Sequence, residues 1–226
     1  HEVVSLHQTI GLRRFGIRNH SLWLDGHRFV VRGITCGKVD SKSFDKQVSA
    51  AKEQNTTEII DLFSDGSCSH EELPKLDSHL QKSDEVGRPT IIRIETETCP
   101  SAMPDILCTL ANHPSVFITV IPPSLLPDLE NFTLLKGTML FAIEVSSERA
   151  SPEIPSGIDV AIVQLTNSEP EASWKKPPPY PIIAWNKEFA SQRQECDRLQ
   201  AVLANWRSSS GSPPSTWDWA GFLVGN

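Results

Sequence analysis

Five carboxylates stand at or just past the C-terminal ends of β-like stretches: Asp61 and Asp65, Glu95 and Glu97, and Glu144. Two such groups held a few ångströms apart can divide acid and base work, one kept protonated and one ionised by its surroundings. Each also has a plainer reading as a solvated or ion-paired rim residue. Trp174 and Trp185 offer flat apolar faces on which a ring-shaped ligand could stack, and each suits a core or rim position equally well. Cys68, His70, Glu71 and Glu72 come nearest to a metal cluster, but no second ligand pair at zinc-site spacing occurs. Ser69 followed by Glu72 reads instead as a capping box at a solvated helix start. No metal or cofactor is expected, since a Gly-rich phosphate loop is missing too.

Composition sets the frame for these groups. The chain has 226 residues, 38% of them apolar and 22% charged, as in an ordinary folded domain. A formal charge of −7 and the lack of a basic stripe argue against a nucleic-acid partner, whose phosphates would need Lys and Arg. No apolar run approaches the ~20 residues that span a bilayer, so no membrane insertion by this segment is expected. Cys36, Cys68, Cys99, Cys108 and Cys196 are odd in number and irregularly spaced, which argues against a disulfide framework. The sequence is read as a segment of a larger protein, exported or membrane-anchored among the possibilities, whose compartment it does not reveal.

The elements that must position the carboxylates follow from periodicity. Asp25-Gly26 between two apolar runs predicts a β-hairpin. Strands are predicted over 29–35, 57–63, 89–95, 115–121, 138–145, 159–165, 181–185 and 219–224. Helices are predicted over 42–54, 70–83, 103–112 and 188–206, with a short one over 125–135. Residues 168–181 and 207–216 read as irregular connections. Eight near-continuous apolar strands alternating with helices imply parallel pairing, and the count favours a closed (β/α)₈ barrel over an open sheet. At ~250 residues for a typical barrel, this one must be trimmed. The expected division is an entry strand and hairpin over 1–28, then a single barrel domain over 29–226.

Several stretches carry a resemblance. Gly11-Leu-Arg-Arg-Phe-Gly-Ile-Arg, the hairpin and Val30-Val-Arg-Gly-Ile-Thr resemble the entry to the catalytic barrel of the family 2 glycoside hydrolases, the β-galactosidase and β-glucuronidase group. Ala111-Asn-His-Pro-Ser-Val-Phe-Ile-Thr-Val-Ile-Pro-Pro-Ser is similar to that family's fourth-strand motif N-H-P-S-V-I-L-W-S-L-G-N-E. Tyr180-Pro-Ile-Ile-Ala-Trp-Asn is similar to its seventh-strand K-P-I-I-x-T/S-E. Residues 188–206 and Trp219-Ala-Gly-Phe-Leu-Val-Gly-Asn resemble the family's final helix and eighth strand; with them the resemblance covers about half the chain, in order, and implies a TIM barrel whose floor is closed by the hairpin.

The resemblance also implies where chemistry should reside. Glycoside hydrolysis takes two carboxyl groups flanking the scissile bond. In the family they end the fourth-strand and seventh-strand motifs, and here those positions hold Ser124 and Asn186. Serine is no acid at neutral pH, and asparagine is neither nucleophile nor base in a carboxylate's way. Lys38 stands in a loop where the family has a polar segment, and Gly225 where a sugar-stacking Trp is expected. The implied function is therefore a glycosidase-like pseudoenzyme: a structural, binding or interaction domain whose partner is a carbohydrate or another protein domain. In that reading Trp185, Trp174 and Lys38 are the ligand-binding candidates. The alternative is an active hydrolase using displaced carboxylates, with Glu95, Glu144 and Asp61 the candidates.

Overall fold

The computed structural model describes residues 14–39, 44–53, 56–63, 72–95, 103–135, 137–146, 154–164, 180–186 and 220–224. Three short antiparallel strands come first: β1 (Phe15–Arg18), β2 (Ser21–Leu24) and β3 (His27–Phe29). Both turns between them place two successive residues in left-handed backbone, Asn19 and His20 at φ 50° and 62°, then Asp25 and Gly26 at φ 50° and 83°. Two-residue turns of this hand match the twist of the flanking strands, and Asn, Asp and Gly tolerate them best. The hairpin expected at Asp25-Gly26 is present, and the entry stretch adds a third strand to it.

Eight parallel strands then close a barrel in sequence order: β4 (Val31–Lys38), β5 (Thr57–Leu62), β6 (Thr90–Ile94), β7 (Val116–Val120), β8 (Leu140–Ser146), β9 (Val160–Gln164), β10 (Ile182–Asn186) and β11 (Gly221–Val224). Closure is made where Val31 of β4 lies opposite Gly221 of β11. Because side chains alternate across a strand, each supplies two cores. Val31, Ile59, Ile91, Ile162 and Ile183 fill the interior. Ile34, Ile60, Ile92, Phe141 and Ala184 belong to a second core, shared with residues of the surrounding helices. Gly33 leaves room inside for its neighbours, since a methyl there would stand 2.5 Å from Leu223 Cδ2 and 2.7 Å from Ile59 Cδ1.

Three helices are described: α1 (Phe44–Glu53), α2 (Glu72–Val86) and α3 (Met103–Ala111). On α3, Met103, Ile106, Leu107 and Leu110 are buried, the i, i+3, i+4, i+7 stripe of a helix with one apolar face. Gly87, at φ 66°, ends α2 in a left-handed cap in which the Arg88 N–H donates to the Ser83 carbonyl at 2.8 Å. The short helix expected over 125–135 is a 3₁₀ helix, Pro123–Leu135, and Pro127 within it lacks the N–H that an α-helical ladder needs. The helix expected over 188–206 lies outside the described residues.

The N-terminal end of the barrel is plugged by the three-stranded sheet. Phe15 stacks on Phe117 with ring centres 5.0 Å apart, Phe29 meets the same ring edge-on at 5.5 Å, and Leu22 is buried in the interior core. Two polar clusters brace the wall. The fully buried Glu58 accepts hydrogen bonds from Ser83 (2.5 Å), Thr90 (2.9 Å) and Arg88 (3.2 Å), and its carboxylate is 3.1 Å from His79 Nε2. Burial alone would favour its neutral form, but His79, Ser83 and Arg88 outweigh that and hold its carboxyl below the ordinary value. His113 sits between Asp84 (2.8 Å) and Asp77 (3.0 Å), and Asp84 also accepts the Ser115 N–H at 2.8 Å. The His-Pro-Ser stretch thus fastens the start of β7 to α2.

Candidate functional site at the C-terminal mouth

Sites on parallel barrels are built at the C-terminal strand ends. In β6, Arg93 shares the inward phase of Ile91, so the strand carries a guanidinium into the barrel interior, where it is 7% exposed. Its Nε donates to Asp61 Oδ1 at 2.7 Å, one Nη pairs with the Glu95 carboxylate, and the other lies 3.8 Å from Glu144 Oε1. The Trp185 ring lies 4.4 Å from the guanidinium carbon, in cation–π contact. Gln164 Nε2 donates to Glu144 Oε2 at 2.6 Å. A guanidinium presents five N–H donors in a rigid plane, which suits one cation to three carboxylates.

Strand register explains the grouping. Asp61 lies opposite Arg93 across β5 and β6, and Glu144 follows the inward-facing Ala142 by two residues. Glu95, just past β6, donates its N–H to the Leu62 carbonyl at 3.0 Å, which holds it at the rim. Beside the network opens a cleft of ≈ 410 Å³ lined by Glu95, Glu144, Val120, Ile121, Pro122 and Pro123. The three displaced candidates, Asp61, Glu95 and Glu144, are thus brought together, each at the same arginine.

Other expected residues fall differently. Trp185 is 1% exposed, and a guanidinium stands on its ring where a ligand was expected. Lys38 ends β4 with its ammonium 2.7 Å from Glu72 Oε1. Glu72, expected at a solvated helix start, is 1% exposed and accepts the Phe63 N–H at 3.2 Å. The cause is local: Phe63 leaves β5 at φ 63°, and its N–H finds its partner in Glu72. Ser124 is exposed in the 3₁₀ helix, and Asn186 closes β10 opposite Val224. Trp174, Asp65, Glu97 and Gly225 lie outside the described residues.

No group of His, Cys, Asp and Glu among the described residues is arranged to hold a metal ion. Cys36 is fully buried, and desolvation, then the charge of Glu58, pushes its thiol far above the ordinary value, so it is a poor nucleophile. Arg93 is the residue that motif reasoning missed. Its signal was present in Thr90-Ile-Ile-Arg-Ile, a lone cation in an apolar strand and in the same phase as Ile91.

No family model matches the chain, and no curated protein sequence does. Solved structures do match in fold. A mutant tryptophan synthase α-subunit from the hyperthermophile Pyrococcus furiosus superposes with a TM-score of 0.52 at 11% identity, over 86% of each chain. A double mutant of the Cellulomonas fimi endo-β-1,4-mannanase superposes with a TM-score of 0.53 at 8% identity, over 88% of this chain and 65% of that one. Likeness at such identities extends to the (β/α)₈ barrel and stops there.

Proposed function

We propose that this chain is a glycosidase-like pseudoenzyme of family 2 ancestry, a barrel that serves as a binding or structural domain of a larger protein. The observation that carries the reading is the commitment of Asp61, Glu95 and Glu144 to one guanidinium. A glycosidase needs two carboxyl groups facing the scissile bond, one of them holding a proton near neutral pH, whereas these three are turned to one guanidinium. Ser124 and Asn186, at the positions that the family resemblance assigns to acid and nucleophile, cannot replace them. A mannanase among the structural neighbours agrees with a glycosidase-like scaffold.

One route to activity is a retaining mechanism with Glu95 or Glu144 as nucleophile. Incubating the whole chain with 2-deoxy-2-fluoro-β-glycosyl fluorides and weighing the intact protein tests it. The pseudoenzyme reading expects no added mass. A single glycosyl adduct on Asp61, Glu95 or Glu144 would replace that reading with an active hydrolase.

A further inference from the structure

A second pocket, of ≈ 320 Å³, opens at the other end of the barrel, beside the N-terminal ends of β4, β5 and β6. Its charged lining is Arg32, Lys52 and Arg88, with no carboxylate among its described lining residues. Arg32 and Lys52 are exposed, and neither has an ion-pair partner among the described residues. Arg88 reaches inward to Glu58 at 3.2 Å. Phe29, Val30 and Val86 give the pocket an apolar wall, and Val86 is 59% exposed. In a chain of net charge −7, three cations around one concavity stand out.

Their charge is matched only in part. Glu58 offsets one cation, and α1 and α2 both end here, each contributing about half a negative charge from its dipole. Among the described lining residues and the groups that meet them, about one positive charge is left over. We propose that this pocket binds a small organic monoanion, a carboxylate carried on an apolar body, with Arg32 and Lys52 gripping the carboxylate and the Phe29–Val86 wall receiving the rest. Arg32 is the discriminating residue, because it sits on a strand and serves no helix end. The volume falls in the range of small-molecule sites.

Calorimetry with the whole chain at low salt tests this with three probes: phenylacetate, its neutral isostere phenylacetamide, and phenyl phosphate. Phenylacetate is expected to bind, phenylacetamide to bind at least about tenfold more weakly, and Arg32→Gln to lose about tenfold in phenylacetate affinity. Raising the salt should weaken phenylacetate binding. Lys46→Gln, an exposed change elsewhere on α1, should leave it unaltered, and circular dichroism checks that both variants fold. Silence with phenylacetate, equal binding of the amide, or an unchanged Arg32→Gln affinity would overturn the site. Tighter binding of phenyl phosphate would overturn its assignment to a monoanion.

Discussion

Replacing Arg93 by Met keeps an unbranched stem and removes the guanidinium that pairs with the carboxylates of the barrel mouth. The cost is set mainly by Asp61, whose side chain is 7% exposed and lies 2.7 Å from Arg93 Nε. Stripping one partner from a buried pair costs about 3 to 5 kcal/mol, because the other charge stays buried without its counter-ion. Glu95 and Glu144 are 30% and 26% exposed, so water screens them and they add little. The expected loss is about 3 kcal/mol, or a fall in Tm of roughly 6 to 12 °C for a chain of this size. Adding Asp61→Leu should recover most of it, since an apolar pair of similar volume often equals a buried ion pair. Urea denaturation followed by tryptophan fluorescence measures the cycle. A loss under about 1 kcal/mol, or two changes that simply add, would show that Arg93 and Asp61 do not act as a pair.

Two glycines should differ in a graded way. Gly33→Ala meets only the flexible ends of Leu223 and Ile59 and should cost about 1 to 3 kcal/mol. Gly221→Ala drives a methyl to 2.3 Å from the Val31 carbonyl oxygen and 2.6 Å from its Cα, at the seam between β11 and β4, and should cost more, by the same urea assay. Glu58 predicts an acid dependence: its carboxyl is held below the ordinary value of 4.5, so its contribution is complete above that pH and is lost as pH falls through the lower folded value. Chemical denaturation between pH 3 and 6 should therefore show a fall below about 4.5 that Glu58→Gln reduces.

The barrel was legible because each strand reads locally. Thr57–Leu62, Thr90–Ile94 and Val116–Val120 carry apolar residues on both faces and are buried throughout, as in a covered parallel sheet. The floor was legible from Asp25-Gly26, whose turn chemistry dictates the hairpin. Long-range pairing was not. Nothing near Glu72 says that Phe63 will bend the chain and bring both its own N–H and Lys38 to that carboxylate. Trp185 reads as a possible stacking face until Arg93, 92 positions earlier in the sequence, is seen to lie on it. The carboxylates were found by their places at strand ends, but their common partner appears only when β5, β6 and β8 curve round one axis. At Pro122-Pro123 the chain passes from β7 into the 3₁₀ helix that carries Ser124.

Turnover is the most direct test of the central claim. A positioned acid or base contributes about 10²- to 10⁴-fold, and in the proposed reading, with the three mouth carboxylates turned to one arginine, neither role is filled. Across a panel of nitrophenyl β-glycosides the wild-type chain should release nitrophenol at the buffer rate. Ser124→Glu combined with Asn186→Glu should stay silent as well, because Ser124 lies exposed in a 3₁₀ helix rather than at a strand end. Wild-type turnover that disappears with Glu95→Gln or Glu144→Gln would contradict the account.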